Sequence, residues 1–372
     1  MRRGLIGMNV TKGMAKRSFL GLDAVKLVAA VLVVVTHSQV LQSAPTEVAR
    51  LADVFISLAV PFFFIVSGFL NFHLAHGDHD EQLRRTWKAA GIGLWLYVAW
   101  TVIYLPASIT SFVLKGAGFN LKTIIRYAHK IIFVGEWQLW FLLSMAIGYA
   151  VIHAMLRAGA STSVVVLVGV ISYAVACIIE ALQRIPTEFL PGGVARAVHL
   201  YTAIFASPRV LFKGIAYIVI GMVLAQAYGR ISESVKRPMR FGLVLIACII
   251  VLTVLNYQTA ASADALISAG LYGVLQFMLA VVIAVATLGW VGSDRSGMFR
   301  HMRTLSATTY LAHVYFLLIF TVVATGGTSI ELTSDINHGL ALLFALIGCA
   351  ATSAFASAAG RKHAFVAQLF HC

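Results

Sequence analysis

Charge is scarce in this sequence. Only 11% of its 372 residues are Asp, Glu, Lys or Arg, against about 25% in a soluble globular protein. That shortage excludes the two or three water-soluble domains that length alone suggests, because so few ionic side chains cannot cover their surfaces. Acidic residues are the scarcer kind, 14 against 28 Lys and Arg, which leaves a net charge of +14. The excess does not make a nucleic-acid binder, since the cations sit in short clusters between apolar runs and not along one basic face. Cysteine is rare too. Cys177, Cys248, Cys349 and Cys372 form no CxxC pair, and the first three lie in apolar runs, so neither a disulfide framework nor a cysteine metal site is implied. There is no internal repeat and no low-complexity tract. The basic N-terminal stretch MRRGLIGMNVTKGMAKR lacks the apolar core of a cleaved signal peptide.

What the sequence has is apolar length. Sixty per cent of its residues are hydrophobic and its mean hydropathy is +0.89, so its solvent is lipid. A helix of about 20 apolar residues crosses the hydrocarbon core. Ten segments meet that measure: 20–42, 51–72, 89–109, 138–156, 163–182, 208–228, 240–258, 266–290, 304–324 and 338–358. The expected fold is therefore all-α, a polytopic bundle of about ten transmembrane helices. It occupies residues 20–358, between a basic leader (1–19) and a short tail (359–372), and leaves no room for a soluble catalytic domain.

With the N-terminus in the cytoplasm, the inner loops hold 18 Lys and Arg and the outer side 9, Lys26 lying inside the first span. The positive-inside rule then sets both termini in the cytoplasm, as an even number of spans requires. Two outer loops exceed what linkage needs. Residues 110–137 alternate apolar groups and cations at helical spacing, which predicts an amphipathic helix on the outer membrane face. Residues 183–207, with Pro186, Pro191, Gly192 and Gly193, read as irregular loop.

Ionisable residues inside a membrane helix are costly and point to function. The first span carries Asp23, Lys26 and His37. Eleven residues are close to three helical turns, so Lys26 and His37 fall about 20° apart on one face and about 16 Å apart along the axis. Asp23 shares that side. The plainer reading has Lys26 snorkelling, Asp23 pairing with it and His37 bonded to a neighbouring helix. The sharper one suits a thioester donor: a cation near the cytoplasmic end to hold nucleotide phosphates, and an imidazole farther along to deprotonate a hydroxyl.

The run FLGLDAVKLVAAVLVVVTH resembles the first-helix signature of the acyltransferase 3 family of bacterial membrane O-acyltransferases: a basic residue, ten intervening residues, then His. The family more often has Arg where this chain has Lys26. Val60-Pro61-Phe62-Phe63-Phe64-Ile65-Val66-Ser67-Gly68-Phe69-Leu70 is similar to the family's second-helix run of Phe-Phe, two apolar residues and Ser-Gly-Phe. Glu136-Trp137-Gln138-Leu139-Trp140-Phe141-Leu142 is similar to the family's Trp-Phe-Leu opening of a middle helix. Ser306, Tyr310 and His313, four and seven residues apart, share a stripe and resemble the family's late-helix Ser, Tyr and His. Each motif has a packing explanation beside it. Ser67 and Gly68 allow close helix approach, the tryptophans fit an interfacial belt, Pro61 kinks the second span near its outer end, and the late-helix stripe suits buried hydrogen bonding.

The resemblance implies transfer of an acetyl group from acetyl-CoA, a substrate and not a resident cofactor, to a sugar hydroxyl of a surface or exported polysaccharide or its lipid-linked precursor. His37 would be general base or transient acyl carrier, in a catalytic set with Lys26 and Asp23, and Lys26 would also hold the donor. Arg84, Arg85 and Ser67 would serve the donor, and Glu136, Trp137, Tyr310, His313 and Ser306 the acceptor. The expected setting is the bacterial cytoplasmic (inner) membrane. Expected partners are the bilayer, acyl-CoA, a glycan or lipid-linked oligosaccharide and polysaccharide assembly proteins. Succinyl transfer to periplasmic glucans is the nearest alternative; a secondary transporter or a lipid-linked glycan flippase is the rival of another class. His73, His76 and His79 with Asp78 and Asp80 have the composition of a metal site, but also that of a solvated loop, and no metal is expected.

Overall fold

Lipid offers backbone N–H and C=O groups no partner, so a spanning chain bonds its own backbone as helix. The computed structural model describes residues 18–116, 120–135, 137–235, 246–254, 265–294, 296–332 and 335–370. The helices are α1 (Leu20–Ser38), α2 (Thr46–Ile56), α3 (Ala59–His73), α4 (His79–Leu114), α5 (Leu121–His129), α6 (Trp140–Arg157), α7 (Thr162–Leu182), α8 (Gly192–Phe205) and α9 (Gly214–Val235). They continue with α10 (246–254), α11 (Ala265–Leu288), α12 (Met298–Ala324), α13 (His338–Ala359) and α14 (Ala364–Phe370). Among the described residues, eight stretches are long and apolar enough to cross a membrane: α1, α2 with α3, α4, α6, α7, Arg209–Arg230, α12 and α13. The expected span 240–258 lies partly outside the described residues, with α10 its described helical part, and the expected span 266–290 is helix α11. The chain is an all-α polytopic membrane protein. Its β1 (Ser18–Phe19) and β2 (Val291–Gly292) are a two-residue antiparallel pair that ties the start of α1 to the α11–α12 link.

Several boundaries differ from expectation for identifiable reasons. The second span begins at Thr46 and breaks at Ser57–Leu58, where the Ser57 hydroxyl donates to the Val54 carbonyl at 2.8 Å. Pro61 then sits in the first turn of α3, where a missing N–H breaks no helical bond. Helix α4 runs 36 residues, about 54 Å at 1.5 Å per residue, and its first turns are the polar HDEQLRR that hydropathy leaves out. The Asp78 carboxylate caps it, accepting from the Asp80 and Glu81 amides at 2.9 and 3.3 Å.

Of the segment 110–137, expected on the outer side, the first part extends α4, and α5 follows as a separate short helix with Leu121, Ile124 and Ile125 exposed. The irregular loop expected at 183–207 is mostly helix α8. Pro191 stands at its N-cap and Gly192 and Gly193 open its first turn, positions whose N–H groups have no intrahelical acceptor anyway. The tail is a second correction to extent: α14 folds back, and Trp100 donates to the Leu369 carbonyl at 3.1 Å.

Helices in lipid associate through close packing of small residues, because lipid is as apolar as they are. Helices α3 and α9 show this most strongly. A β-carbon on Gly68 would lie 2.3 Å from the Ile218 carbonyl oxygen, and one on Gly221 2.2 Å from that of Ile65. The backbones touch through these two glycines. This crossing fixes where Ser67, one residue before Gly68, points.

Candidate functional site

Helix α1 reaches two cavities, one near each end. The first, 520 Å³, is lined by Lys26, Arg84, Arg85, Lys88 and Arg303 together with Ser67, Asn71, Tyr149, Ser306 and Tyr310. Its floor is apolar, with Phe63, Leu96, Phe141, Leu311 and Phe370 among the wall residues. The second, 370 Å³, is lined by Thr36 and His37 from α1, Ser57, Pro61, Trp140, Glu180, Arg184, Arg209, Lys213 and Gln276. Both volumes fall in the roughly 300–1,000 Å³ range of small-molecule sites.

At the Lys26 end, the carboxylate of Asp23 accepts two bonds from Arg303, Nε to Oδ1 at 3.0 Å and Nη2 to Oδ2 at 2.6 Å. Asp23 is therefore engaged by α12 and not by Lys26, which the plainer reading of the sequence paired with it. Among the described residues Lys26 makes no ion pair, and it lines the cavity beside the clamp. Ser306 donates to the Lys26 carbonyl at 2.9 Å, so α1 and α12 are pinned together one turn beyond the ion pair. Arg84 and Arg85 both reach Glu81, at 2.6 and 2.7 Å, while Lys88, one turn after Arg84, has no ion-pair partner among the described residues. Ser67 and the Tyr149 hydroxyl share a hydrogen bond of 2.8 Å. Asn71 donates to the Arg85 carbonyl at 3.3 Å and leaves its buried Oδ1 without a partner.

At the other end of α1, His37 is exposed to its cavity and has no hydrogen-bond partner among the described residues. Its ring centroid lies 5.2 Å from that of fully buried His313. The His313 Nδ1 faces the carbonyls of Thr309 and Tyr310 at 2.8 and 3.0 Å. Carbonyls only accept, so Nδ1 carries the proton and the neutral ring presents Nε2 as a lone pair. That Nε2 has no partner.

Between the cavities stands an aromatic layer. Tyr310 packs on Phe63 at 6.1 Å and on Phe141 at 5.3 Å, and lies 6.4 Å from His313. Its hydroxyl donates to the Gln138 carbonyl, and the Gln138 amide donates in turn to the Tyr104 hydroxyl at 2.7 Å and the Leu311 carbonyl at 3.1 Å. This buried network seats the middle-helix motif against α12.

The candidates read from the sequence thus fall into two groups and some remainders. Lys26, Arg84, Arg85, Ser67, Ser306 and Tyr310 share the first cavity; His37 lines the second with His313 behind it. Ser306 and Tyr310, expected on the acceptor side, line the Lys26 cavity. Trp137 lines neither: it packs on Tyr104 at 5.2 Å, under the Lys130 ammonium at 5.4 Å. Glu136 lies outside the described residues. His73 stacks on Phe69 at 5.0 Å, and Asp78 is spent as a helix cap.

Lys88 and Arg303 were missed, although each extends a recognised stripe by one helical turn. The cations of the second cavity carried no such signal, because Arg184, just past α7, and the helical segment Arg209–Lys213 meet there only in the folded chain. A family model described as an acyltransferase domain matches residues 19–360. No curated protein and no solved structure matches the chain.

Proposed function

The chain belongs to the acyltransferase 3 family, and from that premise we propose that it transfers an acetyl group from acetyl-CoA to a sugar hydroxyl of a surface or exported polysaccharide, or of its lipid-linked precursor. That it is a membrane acyltransferase follows from the family; the donor and acceptor are the proposal. One observation carries it: a single helix presents Lys26 to a cation-lined cavity at one end and an unengaged His37 to a polar cavity at the other.

In this reading the Lys26 cavity opens to the cytoplasm, the side favoured by the distribution of Lys and Arg. Lys88, Arg303 and Lys26 meet the phosphates of the donor, with Arg84 and Arg85 exchanging Glu81 for phosphate oxygens. The apolar floor takes the pantetheine arm and directs the thioester toward the layer of Phe63, Phe141 and Tyr310. The acceptor hydroxyl enters the His37 cavity from the outer side. His37 takes its proton as the oxygen attacks the thioester carbon; the C–S bond breaks, an oxygen ester forms, and the proton passes to the departing thiolate to give free CoA. His313 is a positioning residue here, since its Nε2 lone pair favours the protonated His37 ring.

The test is acetyl transfer from labelled acetyl-CoA in membranes holding equal amounts of the protein and its His37→Ala variant. Transfer to glycan falls to background in the variant. Unchanged product acetylation overturns the assignment of His37. Mass spectrometry of the product distinguishes an added acetyl from an added succinyl.

A further inference from the structure

The His37 cavity holds more positive charge than its protein neighbours neutralise. Three cations line it, Arg184, Arg209 and Lys213, against one carboxylate, Glu180. Glu180 is committed to Lys213, at 2.8 Å with both side chains largely buried. Arg184 and Arg209 are exposed, and among the described residues neither guanidinium meets a carboxylate. Two unpaired guanidiniums on one cavity wall repel each other and focus positive potential into it. Their planar fork of donors suits phosphate or carboxylate oxygens. Trp140 adds an aromatic face to the same wall.

We propose that the acceptor is anionic, and that Arg184 and Arg209 hold its phosphate or carboxylate while His37 faces the hydroxyl to be acylated. This rests on the His37 cavity being the acceptor side. It adds that the substrate is a charged glycan: either a sugar joined to lipid through phosphate, or a sugar bearing its own carboxylate. Bilayer phosphates at the outer surface have the same chemistry, and the experiment separates them.

Membranes containing the protein are incubated with radiolabelled acetyl-CoA, with His37→Ala membranes as background, and the labelled product is passed over an anion exchanger. The expected product is retained. Mild acid then divides the two sources: label released in a neutral sugar marks a phosphate link to lipid, whereas label that stays anionic marks a carboxylate. The Arg184→Gln/Arg209→Gln variant raises the acceptor concentration for half-maximal rate by about tenfold or more, as expected when charge-assisted bonds are lost, and leaves the KM for acetyl-CoA unchanged. A neutral labelled product overturns the inference while the acetyltransferase reading stands. So does an anionic product whose acceptor dependence is the same in the variant, the result expected if the guanidiniums serve only bilayer phosphates. No label above background in any product overturns the proposed function, and this inference with it.

Discussion

The clamp between Asp23 and Arg303 makes an asymmetric prediction. The Asp23 side chain is 5% exposed and the Arg303 side chain 54% exposed, because the guanidinium borders the Lys26 cavity and the carboxylate does not. Replacing Arg303 with Gln strands a carboxylate in a dry helix interface without its two charge-assisted bonds. Breaking a buried ion pair in this way costs about 3–5 kcal/mol. Replacing Asp23 with Asn leaves a cation that water in the cavity solvates, and the loss is about 1–2 kcal/mol. The double variant Asp23→Asn/Arg303→Gln strands no charge, so it is more stable than Arg303→Gln alone although it carries one more change. Thermal unfolding of the purified protein in detergent, with all four forms in the same buffer, reads this order directly. Equal losses from the two single variants, or a double variant no better than Arg303→Gln, refute the reasoning that burial of the carboxylate dominates this contact.

Adding a methyl at the α3–α9 crossing has nowhere to go. Gly68→Ala and Gly221→Ala each cost about 1–3 kcal/mol by overpacking, measured by the same unfolding assay, and a wild-type transition in either variant contradicts the contact. At the Lys26 cavity, the proposed donor site, Lys88→Gln raises the KM for acetyl-CoA by about tenfold through one lost charge-assisted contact with kcat little changed; a drop in kcat alone goes against a binding role. Glu81→Gln releases Arg84 and Arg85 from their shared carboxylate and lowers that KM severalfold, which initial-rate kinetics test. His313→Gln keeps the protein folded but lowers kcat and shifts its pH profile, as expected for a group acting through His37, whereas loss of stability alone would mark His313 as structural.

How much of this was legible in the sequence depends on whether the signal lies along one helix or between several. The spacing of Lys26 and His37 is a property of one helix, and the fold kept it: the two residues reach different cavities because three turns separate them. Ser306 and Tyr310 shared a stripe on α12 for the same reason, and both line one wall. Hydropathy located the eight spans found among the described residues but misjudged their ends. Polar turns such as the start of α4 are helical outside the hydrocarbon, and Pro191-Gly192-Gly193 opens α8 where turn-forming residues suggested loop.

Partners across helices were not legible. Asp23 lies three residues from Lys26, and sequence distance favoured that pair; the fold supplied Arg303, 280 positions away. That exchange changes the chemistry. A lysine paired with its neighbour would have little left for a phosphate, whereas a lysine beside a satisfied ion pair can turn its amine to the cavity wall. On α12 the same guanidinium satisfies Asp23 on one side and faces the cavity on the other. The ion pair thus leaves Lys26 unpaired while holding α1 against α12, and farther along the same helix pair His37 meets His313, about four turns past Asp23 on α1 and about three past Arg303 on α12. The charge at the proposed donor cavity and the placement of the imidazole therefore depend on one contact, so Arg303→Gln impairs both where Lys26→Gln impairs only the first.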